Sequence, residues 1–254
     1  MINNIFFSII VPAHNEENRL QDTLRKITDY LEAQSYKTEI IIVENGSTDC
    51  TAEIAKEFAL GYAAEPAHGK SQICLIQESA SGKGLAVRRG MLEATGDYRF
   101  MCDADLSMPI TELHKFLHPA HTNFDIAIAS RESPGAVRYN EPFYRQLGGR
   151  MINMMVRLLA LPGLHDTQCG FKCFRASAAE DIFNHQTLTG WAFDIEVLFI
   201  ARQRGYCIAE IPISWYFTPD SKLNVILDAF RMGLDILKIR LNALQGKYAH
   251  HNQM

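Results

Sequence analysis

The segment FMCDADLSMP, Phe100 to Pro109, ends an apolar run with two aspartates. The run has the length and composition of a buried strand, so the aspartates mark the point where that strand leaves the core. Asp103 and Asp105 lie two residues apart and would share one face of an extended segment. Paired carboxylates suit Mg²⁺ or Mn²⁺, which proteins bind together with substrate phosphates. The alternative is an ordinary loop in which the aspartates form Asx turns and cap the next helix.

Apolar strands alternate with helical segments on both sides of this point. The strand patterns are IFFSIIVPA (5–13), TEIIIVENGS (38–47), SQICLIQES (71–79), DYRFMCDAD (97–105) and FDIAIASRE (124–132). Such alternation predicts an α/β fold with a mostly parallel sheet covered by helices on both faces. Ligands of these sheets bind beyond the carboxyl ends of the strands. Five polar groups fall at those ends: Asn15-Glu16, Glu44-Asn45, Gly82-Lys83, Asp103 with Asp105, and Ser130-Arg131.

The second half of the chain is less regular. Its pattern predicts helices over 141–163 and 193–205 and a short strand over 168–174. A further strand over 206–217 contains Pro212, which favours an edge strand or a bent one. We predict one domain over residues 1–220, a C-terminal amphipathic helix over 221–246 and a tail over 247–254. The last helix is unusually apolar but also basic, so it either packs on the protein or lies on a membrane surface.

Composition excludes several classes of protein. The 254 residues are enough for one large α/β domain with a substantial core. A net charge of −4 gives no reason to expect a nucleic-acid partner. The six cysteines form no CxxC pair, which indicates reduced thiols of an intracellular protein. Because no apolar run approaches about 18 residues, we expect no transmembrane segment, and a cytoplasmic protein that reaches a membrane only at its surface.

Basic residues follow two of the predicted strands. Gly82 and Gly84 of SGKGLAVRRG (81–90) let the backbone approach a ligand closely. Lys83 lies near a helix N-terminus, which favours anions. Arg131 and Arg145 flank a long polar segment, and two guanidinium groups suit one phosphate, although surface arginines are also common.

Two further carboxylates are candidate acid/base groups. Asp194 and Glu196 lie two residues apart on a predicted helix, so their side chains would face different directions. At most one of them is therefore expected to point into a site, and the other is expected to have a capping role.

These motifs, in this order, resemble those of glycosyltransferase family 2, whose members have a GT-A fold. The likeness runs through SIIVPAHNEENRL (8–20), VENGSTDCTAE (43–53), GKGLAVRRG (82–90), DADLS (103–107), DTQCGFK (166–172) and GWAFDIE (190–196). It covers nearly the whole chain. Within the family, the chain is most similar to polyprenyl-phosphate hexosyltransferases, with dolichyl-phosphate β-glucosyltransferases first and mannose synthases next.

The resemblance implies a metal-dependent enzyme and roles for the residues on the donor side. Asp105 would be the principal ligand of Mg²⁺ or Mn²⁺, assisted by Asp103. Lys83, preceded by Gly82, would lie with Asp103 near the nucleotide phosphates and the donor sugar. The nucleoside pocket would be lined by Pro12, Ala13, Asn15, Glu16 and Glu44.

On the acceptor side, the resemblance implies attack on the anomeric carbon with inversion as the nucleoside diphosphate leaves. Arg131 and Arg145 would hold an acceptor phosphate, which is already anionic at neutral pH and needs no base. A hydroxyl acceptor would need a general base such as Asp194. Asp194 or Glu196 would occupy the position where relatives that use hydroxyl acceptors have that base.

The expected reaction moves a hexose, glucose ahead of mannose, from a nucleotide-sugar to polyprenyl or dolichyl phosphate. UDP is favoured over GDP, but Glu44-Asn45 stands where the family often has two aspartates, which leaves the base open. One alternative is a family 2 enzyme that acts on a sugar or polysaccharide hydroxyl. Another is a non-catalytic sugar-nucleotide-binding module, which the retention of both Asp103 and Asp105 disfavours. The sequence does not indicate an oligomeric state.

Overall fold

A computed structural model of the protein describes residues 5–64, 71–117, 124–217 and 225–249. Its strands are β1 (Phe7–Ala13), β2 (Thr38–Asn45), β3 (Ser71–Glu78), β4 (Tyr98–Cys102), β5 (Ile126–Ser130), β6 (Val137–Tyr139), β7 (Phe171–Arg175), β8 (Ile208–Pro212) and β9 (Ser214–Tyr216). Seven of them form one sheet in the order β3-β2-β1-β4-β7-β5-β8, while β6 and β9 form a small separate sheet. Its helices are α1 (Leu20–Glu32), α2 (Thr51–Ala64), α3 (Lys83–Glu93), α4 (Phe143–Leu159), α5 (Ala176–His185), α6 (Phe193–Gln203) and α7 (Val225–Leu244), with a 3₁₀ segment over Ile110–Leu117.

The central strands are buried on both faces, as their continuous apolar sequences predict. Every residue of β1 and of β2 is buried. Alternate residues of β1 enter two different cores, with Ile9 and Val11 on one face of the sheet and Ile10 on the other. This alternation follows from the two-residue period of a strand. The sheet therefore separates two apolar layers, and polar side chains collect at its carboxyl edge.

The sheet is mostly parallel, as predicted, and β7 is the exception. β1 pairs in parallel with β2 and β4, and β5 pairs in parallel with β8. β7 lies between β4 and β5 and is antiparallel to both. The connection from α4 passes the carboxyl edge of the sheet, where Asp166 contacts Arg131, so the chain enters β7 from that edge and must run in the opposite direction.

The C-terminal segment is helical and packs on the domain through one face. α7 spans Val225–Leu244 within the predicted range 221–246, of which 221–224 lie outside the described residues. Its Met232, Ile236 and Ile239 join the core. Tyr248, in the predicted tail, is buried, so the described part of that tail packs on the protein. Among the residues that the structure describes, no helix combines the length and apolarity needed to cross a bilayer.

Candidate active site

The loops that follow β1 and β2 are tied together at the carboxyl edge of the sheet. Asn15 has a left-handed backbone (φ 56°), and its Oδ1 accepts a hydrogen bond from the Thr48 amide at 2.8 Å. The Ser47 amide donates to Glu44 Oε1 at 2.7 Å. Asn15 and Glu44, two of the five residues predicted for the nucleoside pocket, thus use side-chain oxygens to fix the backbone of these loops.

The other residues predicted for the nucleoside pocket lie next to this pair of loops. Pro12 and Ala13 are the buried last residues of β1. Glu16 is half-buried, and burial raises the pKa of its carboxyl group. The negative charges of Asp105 and Asp103 add to this rise in pKa. Glu16 therefore lies in the electrostatic field of the aspartate pair.

Lys83, the first residue of α3, forms an ion pair with Asp103. Its Nζ lies 2.7 Å from Asp103 Oδ1 and 2.8 Å from Oδ2, and 5.1 Å from the centroid of the exposed Trp191 ring. A Cβ at the preceding Gly82 (φ 150°) would approach the Thr189 carbonyl oxygen to 2.7 Å, so the turn requires glycine. Burial opposes the charge of Lys83 and is the largest single effect, but the carboxylates of Asp103, Asp194 and Asp105 together outweigh burial and raise the pKa of the amine. Lys83 is thus cationic at neutral pH.

Asp105 lies at the end of a sharp turn. Its Oδ1 accepts a hydrogen bond from the Ser107 amide at 2.9 Å, and the intervening Leu106 has a left-handed φ of 43°. The predicted Asx turn therefore exists, but it uses one oxygen of a carboxylate that is only partly buried. A turn of this kind fixes the direction of the carboxylate and is compatible with ligand binding at the second oxygen.

The two aspartates fit a hard divalent cation. Asp103 Oδ1 is buried and forms no hydrogen bond within the described ranges, although it contacts Lys83 Nζ. No three His, Cys, Asp or Glu side chains in the described part of the chain are grouped as a complete metal cage. Mg²⁺ is characteristically held by one or two carboxylates together with substrate phosphates. The Asp103 and Asp105 carboxylates would fit such a site, in which substrate phosphates supply further oxygen ligands.

Asp194 is buried within electrostatic range of Lys83 and Asp103. Its Oδ1 lies 2.5 Å from Lys172 Nζ, which also donates to the Cys169 carbonyl oxygen at 2.6 Å. Burial raises the pKa of Asp194, while Lys172 and then Lys83 act in the opposite direction. With 3% of its surface exposed, Asp194 has the environment of a structural ion-pair partner. Its predicted catalytic role stays a prediction.

Glu196 contacts different partners from Asp194, as expected for positions two apart on a helix. It is fully buried, and its Oε2 accepts hydrogen bonds from the amides of Thr187 (3.0 Å) and Leu188 (2.7 Å). Its Oε1 accepts a hydrogen bond from the Tyr248 hydroxyl at 2.6 Å. Glu196 therefore fixes the loop that leads to Trp191, and its partners Thr187 and Leu188 lie between α5 and α6 and not in the first turn of a helix.

Arg131 forms a bidentate ion pair with Asp166. Its Nε and Nη2 lie 2.7 and 2.9 Å from the two carboxylate oxygens, and its backbone amide donates to the same side chain at 3.0 Å. Burial opposes the charge of Asp166, but Arg131 outweighs burial and lowers the pKa of this carboxyl group to about 2. The pair orients the guanidinium group, of which Nη1 donates no hydrogen bond to a described residue.

Arg131 and Arg145 lie beside neighbouring aromatic rings. The guanidinium carbon of Arg131 is 5.5 Å from the Trp215 ring centroid, and that of Arg145 is 4.9 Å from the Phe217 ring centroid. The two ring centroids are 6.1 Å apart. The structure therefore brings the two predicted arginines to one surface, which we call the arginine–aromatic cluster, defined by Arg131, Arg145, Trp215 and Phe217.

Residues 8–183 match the model of the family described as Glycosyl transferase family 2. The chain belongs to glycosyl transferase family 2. A dolichyl-phosphate β-glucosyltransferase of Dictyostelium discoideum is 33% identical over 257 residues, which cover 96% of this chain and 77% of that protein. A human protein of the same name is 32% identical over 255 residues, which cover 95% of this chain and 76% of that protein.

Solved structures confirm the GT-A fold of this family 2 enzyme. Glucosyl-3-phosphoglycerate synthase from Mycobacterium tuberculosis, in complex with Mn²⁺, UDP-glucose and phosphoglyceric acid, superposes with a TM-score of 0.68 at 15% identity. The match covers 93% of this chain and 79% of that chain. The same synthase has also been solved with Mg²⁺ and UDP. At this level of identity the likeness concerns the fold.

Several residues that shape the family 2 site are not evident from their own sequence neighbourhoods. Lys172 is the second residue of β7, where a strand pattern predicts an apolar contact. Trp215 carries no sequence signal of its own. Asp166 and Gly170 both lie in DTQCGFK (166–172), one of the motifs that carry the resemblance. Small and polar residues are frequent in this motif, directly before a strand, and this composition is the sequence feature that indicates a site there.

Gly170 makes room for the Asp103 carboxylate, and replacing it should disable the enzyme. A Cβ at position 170 would lie 1.8 Å from Asp103 Oδ2, so Gly170→Ala must displace the aspartate. Since misplacing a reactive group by about 1 Å costs on the order of 10²-fold, we expect that loss in kcat/KM for the donor. Gly61→Ala, where no atom lies within 4 Å of the added Cβ, is the matched control. Normal activity of Gly170→Ala would contradict the predicted role of Asp103.

Proposed function

We propose that this family 2 enzyme transfers glucose from UDP-glucose, with inversion, to the phosphate of a polyprenyl or dolichyl phosphate. The observation that carries the proposal is the similarity, over about 95% of the chain, to proteins named dolichyl-phosphate β-glucosyltransferase. An acceptor phosphate oxygen attacks the anomeric carbon, the bond from that carbon to the diphosphate breaks, and glucosyl lipid phosphate and UDP are the products.

On the donor side, the reaction develops negative charge on the leaving diphosphate. We assign Asp105 as the principal ligand of Mg²⁺ or Mn²⁺, with Asp103 as its assistant. When bound, the cation neutralises charge on the diphosphate. Lys83 adds a fixed positive charge at the same place, and its raised pKa keeps it protonated. Pro12, Ala13, Asn15, Glu16 and Glu44 form the nucleoside side, and Gly82 lets the backbone approach the phosphates.

On the acceptor side, the arginine–aromatic cluster suits a phosphate. Asp166 holds the Arg131 guanidinium in a fixed orientation, and Arg145 supplies a second positive charge on the same surface. A phosphate monoester is largely ionised at neutral pH, with a second pKa of about 6, so the acceptor needs orientation rather than a base. The burial of Asp194 against Lys172 agrees with a reaction in which no carboxylate removes a proton.

The test is release of nucleoside diphosphate from UDP-glucose, UDP-galactose, GDP-glucose and GDP-mannose in the presence of Mn²⁺. Each donor is offered with a short polyprenyl phosphate, with the corresponding polyprenol, and alone. We expect UDP-glucose with the polyprenyl phosphate to give by far the fastest release. Equal stimulation by the polyprenol would indicate a hydroxyl acceptor, and preference for GDP-mannose would overturn the assigned donor.

A further inference from the structure

Trp191 is exposed beside the Lys83–Asp103 ion pair. It lies in the motif GWAFDIE (190–196), in the loop between α5 and α6, and 72% of its surface is exposed. Its ring centroid is 5.1 Å from Lys83 Nζ. Tryptophan side chains are on average largely buried, because the indole ring has a large apolar surface. An indole that stays in water beside Lys83 therefore requires an explanation.

The loop that carries Trp191 is held by a buried carboxylate. Glu196 accepts hydrogen bonds from the amides of Thr187 and Leu188, and from the Thr187 hydroxyl at 2.6 Å. Because Glu196 is fully buried, water does not compete for these hydrogen bonds, and their loss would leave a charge buried without partners. The backbone that leads to Trp191 is thus fixed before any ligand binds.

The same loop packs on the first turn of α3, the helix that begins at Lys83. The side-chain amide of Gln186 donates a hydrogen bond to the Gly84 carbonyl oxygen at 2.9 Å. In the opposite direction, the Leu85 amide donates to the Thr189 carbonyl oxygen at 3.2 Å. These contacts join the loop to the helix that presents Lys83, so the position of the indole relative to the lysine is set by the fold.

The order of the strands places this pair between the two halves of the site. β1 and β2, whose loops contain the residues predicted for the nucleoside pocket, lie on one side of β4. β5, which leads to Arg131, lies on the other side. Lys83 contacts Asp103, the residue directly after β4. In the proposed reaction the hexose must lie between the diphosphate and the acceptor phosphate, and this is the place that Lys83 and Trp191 occupy.

We propose that the Trp191 indole stacks on the hexose ring of the bound donor. A glucose ring in its chair form has equatorial hydroxyl groups, so both of its faces carry C–H bonds and are apolar. The hydrogens of those bonds bear a partial positive charge, which suits the negative face of an aromatic ring. Because the loop is already fixed, stacking costs little further conformational entropy. The assignment rests on the proposed function, since it takes the donor to be a nucleotide-hexose.

The affinities for UDP-glucose and for UDP, measured by calorimetry with Mn²⁺ and without acceptor, test the stacking. Trp191→Ala should raise the Kd for UDP-glucose by about tenfold and change the Kd for UDP by less than about twofold, because UDP lacks the hexose. Phe230→Ala, which removes another aromatic side chain with 66% of its surface exposed, is the matched control and should change neither Kd. Thermal unfolding of each variant checks that the fold persists.

Two further variants separate stacking from simple apolar contact. Trp191→Phe keeps a flat aromatic face and should retain most of the affinity for UDP-glucose. Trp191→Leu keeps an apolar side chain without such a face and should bind as weakly as Trp191→Ala. Tryptophan fluorescence gives a second readout, since Trp215 is the other tryptophan of the chain. UDP-glucose should change the emission of the wild type more than UDP does, and this difference should vanish in Trp191→Phe.

Three outcomes overturn the stacking. One is a folded Trp191→Ala protein that binds UDP-glucose as the wild type does. Another is an equal loss of affinity for UDP and UDP-glucose, since the indole would then contact the nucleotide. The third is an increase only in the KM for polyprenyl phosphate, which would place Trp191 on the acceptor. If the wild type binds UDP-glucose more tightly than Trp191→Ala but transfers no glucose to polyprenyl phosphate, the stacking is supported and the proposed reaction alone fails.

Discussion

Asp105→Asn should lower turnover of the donor by about 10²- to 10³-fold, the cost typical of removing one group that stabilises developing charge. The substitution keeps the oxygen that accepts the Ser107 amide, so the turn should persist. It removes the negative charge to which we attribute cation binding. The measurements are UDP release at saturating Mn²⁺ and the dependence of the rate on Mn²⁺ concentration. Asp22→Asn, on the exposed face of α1, is the matched control and should have normal activity.

Asp103→Asn provides an internal comparison. Because Asp103 pairs with the largely buried Lys83, its loss should reduce thermal stability as well as activity, whereas Asp105→Asn should reduce activity alone. If Asp105→Asn retained turnover and Asp103→Asn abolished it, Asp103 rather than Asp105 would be the principal ligand, and the assignment would be reversed.

The features that sequence predicted well are those that depend on neighbouring residues. The strand predicted over 38–47 is present as β2 (Thr38–Asn45) and is buried throughout, as its apolar sequence requires. Each strand ends where an apolar run gives way to polar residues, so the sequence predicts where the strands end. Parallel strands bring those ends to one edge of the sheet. That rule predicts a common site for Lys83, Asp103 and Asp105, and the ion pair between Lys83 and Asp103 agrees with it.

The features that sequence missed depend on partners far apart in the chain. Lys172 is buried in a strand because Asp194, 22 residues later, neutralises it. Tyr248 lies in the predicted tail but is buried, and its hydrogen-bond partner, Glu196, lies 52 residues earlier in the chain. The direction of β7 depends on where the connection from α4 enters the sheet. The local periodicity of the sequence does not predict these two contacts or the direction of β7, because each depends on how distant segments pack together.

Lys172→Met should destabilise the protein by about 3–5 kcal/mol, because it leaves the Asp194 carboxylate buried without its cation. Urea unfolding monitored by fluorescence would measure the loss. Lys26→Met, which breaks the exposed pair with Asp22 at 2.6 Å, is the control and should cost no more than about 1 kcal/mol. Adding Asp194→Leu to Lys172→Met should recover much of the stability, since replacing both members of a buried pair by apolar groups is often neutral.

The pH dependence of the single variant has a definite sign. Burial raises the pKa of Asp194, and in Lys172→Met its largest opposing charge is gone. A carboxyl whose folded pKa exceeds its unfolded value of about 3.9 binds more protons in the native state, so stability falls as pH rises above that value. The deficit of Lys172→Met relative to wild type should therefore be larger at neutral pH than near pH 4. A deficit independent of pH would show that lost packing, not the unpaired charge, causes the destabilisation.

The double variant, Lys172→Met with Asp194→Leu, also tests the predicted catalytic role of Asp194. Removing a general base costs at least about 10²-fold in rate. If the acceptor is a phosphate, the folded double variant should lose less than that, because no proton has to be removed from the nucleophile. A folded double variant with no measurable transfer would instead make Asp194 a base and would favour a hydroxyl acceptor. The variants of the Lys172–Asp194 pair therefore test both the stability of the fold and whether the acceptor is a phosphate or a hydroxyl.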